Sequence, residues 1–437
     1  MNRLIIAFLM VFGVSELLAQ QSQTLEDVLA TALENNYSIQ IARNRQAISD
    51  NNLTLGNAGF LPSLDFRSQF SGTRNTTDRT DIDGNQSTLR NVHNTVASSN
   101  VTLGWTIFDG FRAQISYDKL SALQEMGELN TQIAIENMVA GITAEYFNLI
   151  QQKRLLNNLK FAVELSRERV RIDEERFLLG SGSKLQLLQA EVFLNADSSR
   201  MGRQEEVVRA TQVRLNELMA KENLRFNLQP ADTVIPLNDI MIYETLENAA
   251  FRNNTALRAA DKNQRITRYD KQLLASQAYP WVSLSSGYGY NYSTFQTGTF
   301  TDQQTYGMNY AVTLGINIFD GFNRRRQVSN AAIQVENSQL AYEETLKAVQ
   351  SDLINIYNEY LNNFRLLDLE TQNLQVAYET LDIAMERYRL GALSGIELRE
   401  VQKNLLEAEE RLLSIQYSTK RAEISLLLIA GRVMEYM

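Results

Sequence analysis

The chain has 437 residues, four prolines, one histidine, no cysteine and a formal charge of −9. The lack of Cys excludes disulfides, thiolate metal sites and a Cys nucleophile. The acidic balance argues against a nucleic-acid partner, and so few prolines leave room for very long helices.

The N-terminus reads as a signal peptide over residues 1–19. Arg3 supplies the positive charge, residues 4–14 the apolar run and Ala19 the cleavage site. Gln20 rather than Cys follows Leu17-Leu18-Ala19, so no lipid anchor is expected. No later stretch approaches the ~18 apolar residues of a membrane helix, so any crossing must use strands.

Residues 20–23 read as loose. Thr24 is placed to cap a helix whose apolar face is Val28, Leu29, Ala32 and Leu33, continuing to about Asn57. Gly59 and Pro62 stop it. From Ser63 the period becomes two: Leu64, Phe66 and Phe70 alternate with Asp65, Arg67 and Gln69, predicting a strand over about 63–71. Residues 71–92, rich in Asn, Thr, Asp and Gly, read as a long exposed loop. A second strand is expected over about 95–108, with Val101, Leu103, Trp105 and Ile107 on one side and Asn100, Thr102, Gly104 and Thr106 on the other. After Asp109-Gly110 a helical period takes over, and Leu156, Val163, Val170 and Phe177 recur every seven residues, the mark of a coiled-coil seam. Leu179-Gly180-Ser181-Gly182-Ser183 reverses the chain, and Ser183 caps a return helix, giving a hairpin over about 110–221. Residues 229–242, with Pro230 and Pro236, form a linker.

The plan then repeats. Val101–Phe111 and Val312–Phe322 agree at nine of eleven places, and the offset of 211 holds downstream. The chain is therefore a tandem duplication, with copies over 20–228 and 243–437. The second copy has a helix to about Gln277, a stop at Pro280, and strands over about 281–293 and 305–319. Its helical hairpin covers about 321–431, with Leu367, Leu374, Leu381 and Tyr388 as the seam and Leu390-Gly391 as the reversal.

Four strands of roughly ten residues suit a tilted bilayer crossing. One face is apolar and aromatic, with Leu103, Trp105, Leu314 and Ile316 expected against lipid. The other is small and polar, with Thr102, Thr106, Thr313 and Asn317 expected in a water-filled lumen. Tyr288, Tyr290, Tyr292, Tyr306 and Tyr310 fit an aromatic girdle. A soluble four-stranded sheet packed on a helix shows the same alternation. In lipid, however, four strands cannot close, and about eight is the minimum; three chains would supply about 12. Helices of some 70 residues span on the order of 100 Å and need partners throughout. Asp109, Gly110, Asp320 and Gly321 occupy the strand–helix corners, each Asp as an N-cap and each Gly allowing the turn. Arg324, Arg325 and Arg326 suit either lipid headgroups or a solvated face.

The duplicated Ile-Phe-Asp-Gly-Phe corners and the Leu-Gly reversals inside long helices make the chain resemble the TolC-like outer-membrane efflux proteins. The resemblance covers essentially all of the mature chain. It implies a mixed α+β membrane protein: a homotrimer with a shared 12-stranded outer-membrane barrel, four strands per chain, continuing into a periplasmic α-helical coiled-coil tunnel. It further implies docking to a periplasmic adaptor protein and an inner-membrane pump of the RND or ABC type. By position, adaptor contact falls on Arg176, Leu179, Gly180 and Ser181 and on Arg387, Leu390, Gly391 and Ala392. The acidic rings of the periplasmic gate fall on Glu397 and Glu400. The family's link between neighbouring hairpins, an Arg and an Asp, meets Leu393 and Gln186 here, so that link is absent.

The expected function is a passive exit duct for efflux or type I secretion, with no catalytic residue, cofactor or metal. An enzyme would need more than His93, which reads as a solvated loop residue. A trimeric surface adhesin is the alternative, disfavoured because helices bound each strand pair on one side and loops on the other.

Overall fold

The computed structural model of the protein describes residues 22–437; the expected signal peptide lies outside them. The described chain divides into two compact units. A helical unit takes the chain up to Gln40, Ala134–Asn254 and Val349–Met437, and a sheet unit takes Ile41–Ile133 and Thr255–Ala348.

In chain order the first copy contains α1 (Leu25–Asn35), α2 (Tyr37–Asn52), α3 (Leu55–Ala58), β1 (Ser63–Thr80), β2 (Gln86–Phe108), α4 (Arg112–Leu178) and α5 (Lys184–Leu218). The second contains α6 (Tyr243–Asn253), α7 (Thr255–Ser276), β3 (Trp281–Thr294), β4 (Asp302–Gly315), α8 (Asn323–Arg389) and α9 (Gly395–Ile429), and the chain closes in a 3-10 turn, Val433–Tyr436. α4 and α8 are both 67 residues long, and α5 and α9 both 35, so the duplication preserves the hairpins to the residue.

In the helical unit, Thr24 starts α1 with a capping box to Asp27, and Val28, Leu29 and Ala32 are buried as their spacing predicts. They pack with Ile142, Tyr146, Ile150 and Leu215 of α4 and α5. A fully buried side chain of this size contributes about 1.5–3 kcal/mol. The expected continuous first helix is instead broken at Asn36, and its counterpart at Asn254. Asn36 donates its side-chain amide to Leu218 O at 2.7 Å, and Asn254 to Ile429 O at 3.0 Å. Each Asn thereby satisfies an orphan carbonyl at the end of α5 or α9, and Asn36 Oδ1 accepts the Ser38 N–H that opens α2. The linker and Gln23 are held in place, and residues 20 and 21 of the segment expected to be loose lie outside the described residues. Gln23 exchanges backbone hydrogen bonds with Gln229 and Ala231, and Leu228 and Ile235 are buried in the core.

In the sheet unit, four antiparallel strands lie in the order β1-β2-β3-β4, and β2–β3 joins the two copies. The expected loop over 71–92 is mostly strand. Pairing runs on from Ser71↔Val96 to Thr80↔Gln86 with an irregularity at Thr76, so His93 lies in β2 opposite Arg74. Apart from Leu89, Val92 and Val96, the extension is hydrophilic on both faces, which removes the alternation that marks a half-buried strand without removing the backbone ladder. Asp81 closes the turn by accepting the N–H groups of Asp83 and Asn85 at 3.0 and 2.8 Å. At the other end β4 stops at Gly315, short of the expected 319. Gly315 pairs with Trp281, and the next residue back is Pro280, which has no N–H to extend the ladder.

Candidate functional site: sheet faces, corners and hairpin tips

Directly paired residues share a face of the sheet. One row reads Phe66, Val101, Tyr288, Met308 and another Leu64, Leu103, Ser286, Tyr310; Tyr290 meets Tyr306, and Leu284 meets both Trp105 and Val312. Leu314 sits opposite Val282 on the same side. The neighbouring rows read Asp65, Thr102, Gly287, Asn309 and Arg67, Asn100, Gly289, Gly307, with Thr106 opposite Ser283 and Ser283 opposite Thr313. The register thus collects most of the apolar and aromatic residues of all four strands on one face; Trp281, opposite Gly315, falls on the other. Phe66, Met308, Tyr310 and Leu314 are exposed on the apolar face, while the other face is otherwise polar and small. Ile316 falls beyond the end of β4.

The two corners are built alike. Neither Asp is the N-cap. Each sits before a Gly-Phe pair in the left-handed region, Gly110 (φ 72°) with Phe111 (φ 67°) and Gly321 (φ 67°) with Phe322 (φ 64°). From there Asp109 reaches forward to accept Ala113 N–H at 3.0 Å, and Asp320 accepts Arg324 N–H at 2.8 Å. The carboxylates cap the first turns of α4 and α8 across the sharp bend, where the helix dipole favours them. Phe108 with Phe111, and Phe319 with Phe322, stack edge to face at 5.3 Å in both copies. Arg324 also donates its side chain to Gln277 O at 3.3 Å. A polar groove of about 750 Å3 lies at these corners, lined among others by Thr106, Asp109, Arg112, Ser283 and Asn317.

In the helical unit both hairpin tips close with one motif. Gly180 (φ 74°) donates to Phe177 O and Ser181 to Arg176 O, at 3.1 and 2.9 Å. Gly391 (φ 79°) donates to Tyr388 O and Ala392 to Arg387 O, at 3.0 and 2.8 Å. This is the left-handed helix end that glycine favours. Leu179 and Leu390 project from the tips, 82% and 81% exposed. Arg176 does not project. It donates to Tyr388 O and lies 4.7 Å over the Tyr388 ring, joining the first tip to the second. Of the seam residues, Val163, Leu381 and Tyr388 are buried, whereas Phe177 is exposed.

Glu397 and Glu400 are both exposed. Glu397 is the third residue of α9 and completes a capping box, accepting Ser394 N–H at 2.9 Å while Ser394 Oγ accepts Glu397 N–H at 3.2 Å. Hydrogen bonds from Ser394 hold its carboxyl below the usual range. Gln186 does the same service for Ser183, and Leu393 packs against the core beneath the tips.

Sequence reasoning missed the buried polar groups just behind the tips. Arg399 makes a two-pronged contact with Asp197 at 2.6 and 2.8 Å, and Ser166 also donates to Asp197. Tyr388 donates its hydroxyl to Asp173, and Arg169 lies 5.0 Å over the Phe193 ring. The Arg399–Asp197 and Tyr388–Asp173 contacts tie the two hairpins of one chain together, and the Ser166 and Arg169 contacts brace α4 against α5 within the first. The only sequence signal was charge on the inward stripe of a helix, and a solvated face gives the same letters.

The model of the outer membrane efflux protein family matches residues 28–221 and 246–432. The chain belongs to that family. It is 19% identical over 423 residues to the proteases secretion protein PrtF of Dickeya chrysanthemi, across 95% of this chain and 89% of PrtF. Its fold matches the CmeC outer membrane channel of Campylobacter jejuni with a TM-score of 0.77 at 18% identity, covering 94% of this chain and 86% of that one. It also matches the outer membrane protein VceC of Vibrio cholerae with a TM-score of 0.73 at 16% identity, covering 93% and 96%. Family and fold are those of channels rather than enzymes. The protein is an exit duct for efflux or secretion, placed in the outer membrane and extending into the periplasm.

Proposed function

We propose that three copies close one barrel of about 12 strands, pairing β1 of each chain with β4 of the next. The helical hairpins continue it as a periplasmic tube. The tips dock a periplasmic adaptor protein that couples the duct to an inner-membrane pump of the RND or ABC type. The observation that carries this reading is the pair of open sheet edges. β1 is exposed along its whole length and β4 along nearly all of it, on a sheet with a lipid-type face. Open edges leave backbone N–H and C=O groups unpaired, which a bilayer does not tolerate. Mass measurement in mild detergent should give three chains; a monodisperse folded monomer overturns the barrel.

The docking reading is supported by Leu179 and Leu390, apolar and fully presented at matching places in both copies. Leu179→Glu with Leu390→Glu should abolish export while the trimer still inserts. Loss of the trimer would mark the tips as structural instead. Glu397 and Glu400 are proposed as the gate: three chains would ring one constriction with carboxylates, which attract cations. Glu397→Gln with Glu400→Gln should lower cation preference in single-channel recordings, and unchanged selectivity removes the gate role.

A further inference from the structure

In the helical unit, α4, α5 and the segment after α5 line a groove of about 590 Å3. Four cations face it, Lys153, Lys160, Arg209 and Arg225, against one carboxylate, Glu205. None of the four cations forms an ion pair among the described residues. Lys153 is half-buried and donates to Leu228 O at 3.0 Å and Gln229 Oε1 at 2.6 Å. Both acceptors are neutral, and an ammonium has three donors. Burial pushes its pKa down to about 8.

The second copy shows what the same frame does with a cation when it compensates it internally. At the offset of 211, Arg209 corresponds to Lys420 and Gln212 to Glu423. Lys420 and Glu423 form a buried pair at 2.8 Å. The first copy carries a neutral amide in place of that carboxylate, and Gln212 donates to Asn227 Oδ1 at 2.7 Å. Lys153 and Lys160 correspond to Phe364 and Thr371, and Glu205 to Gln416, so the first copy carries two more cations here and one carboxylate, while the position that pairs with the buried cation of the second copy is a neutral amide. A partly buried cation without an anion is costly unless one arrives from outside.

We propose that this groove is an oxyanion site for a ligand carrying several carboxylates or phosphates, held by Lys153, Lys160, Arg209 and Arg225. The test is calorimetric titration of the purified full chain in detergent at pH 8 with citrate and, separately, inorganic tripolyphosphate. Each titration is repeated in two buffers of different ionisation enthalpy. An anion beside Lys153 raises its proton affinity, so binding should take up protons at this pH. One saturable site per chain is expected, and preference for citrate or for tripolyphosphate tells a carboxylate ligand from a phosphorylated one. Lys153→Met should abolish the proton uptake and weaken binding about tenfold or more, the scale of a lost charge-assisted hydrogen bond. Arg209→Gln with Arg225→Gln changes only exposed side chains, so folding is not at issue. It should weaken binding similarly yet keep the proton uptake. Arg324→Gln with Arg325→Gln and Arg326→Gln, in the sheet unit, should change neither. Absence of saturable binding by both probes overturns the site, as does binding that survives both groove variants.

Discussion

The two copies share a backbone and differ in what fills it. Helices of 67 and 35 residues, Asn breaks, Asp-Gly-Phe corners and Gly reversals recur at matching places. The strands do not: β1 and β2 have 18 and 23 residues, against 14 each in β3 and β4. Nor do the charges, since Lys420–Glu423 answers to Arg209 and Gln212. Short motifs at element ends fix the frame, because each satisfies backbone groups that have no other partner. Side chains along the helices are under no such constraint and diverge.

The largest expected contrast lies in that buried pair. Glu423 accepts from Lys420 at 2.8 Å, from Tyr436 at 2.7 Å and from Asn238 at 2.8 Å. Glu423→Gln leaves Lys420 charged and buried without its partner, which should destabilise by about 3–5 kcal/mol. The opposite exchange in the first copy, Gln212→Glu, gives up the amide's hydrogen bonds to Asn227 and Leu228 but places a carboxylate among the groove cations, so the two effects offset and its net loss should be well below that of Glu423→Gln. Thermal unfolding of both variants checks this. Equal losses would show that the missing counter-charge is not what separates the copies.

The corners give the next contrast. An alanine at either Gly110 or Gly321 must hold a left-handed backbone, costing about 1–2 kcal/mol. At Gly110 the new methyl would also lie 2.6 Å from Ser276 O and 2.7 Å from Tyr279 Cβ, whereas at Gly321 the nearest atom is Asn323 Nδ2 at 3.8 Å. Gly110→Ala should therefore lose about 1–3 kcal/mol more than Gly321→Ala. Indistinguishable unfolding midpoints would mean that the first corner relaxes freely.

Much of this frame was legible beforehand, for physical reasons. Helix periodicity over 67 residues leaves no competing pattern, and Leu64, Phe66 and Val101 announce a sheet face because the opposite face is polar. Where both faces meet water, as from Thr73 to Thr80, the strand has no periodic signature and reads as loop. The break at Asn36 depends on a carbonyl of Leu218, remote in sequence. The pairing of Arg399 with Asp197 likewise depends on two helices meeting. At the tips, Gly180 and Gly391 lie in the reversals as expected, but nothing in the letters showed that Arg176, expected among the adaptor contacts, donates to Tyr388 O.

The smallest contrast is between the two capping boxes, and acid should reveal it. Ser183 N–H is held by an amide, Gln186 Oε1, at 3.0 Å, and Ser394 N–H by a carboxylate, Glu397 Oε2, at 2.9 Å. Hydrogen bonds from Ser394 lower the Glu397 pKa from its ordinary 4.5, with Arg387 adding a smaller effect. A carboxylate with a depressed folded pKa contributes stability that is full above the unfolded value and is lost as pH falls through the folded one. The second tip should therefore match the first at pH 7 and weaken relative to it below the ordinary value of 4.5. Amide exchange reads this residue by residue. Corrected for intrinsic rates, protection of the Ser394 N–H should fall between pH 7 and about pH 3, the range in which an ordinary carboxyl protonates, while that of the Ser183 N–H holds. Glu397→Gln should make both tips indifferent to acid. If wild-type Ser394 keeps its protection through that range, the carboxylate is not what closes the second tip, and the two copies are capped alike despite their different residues.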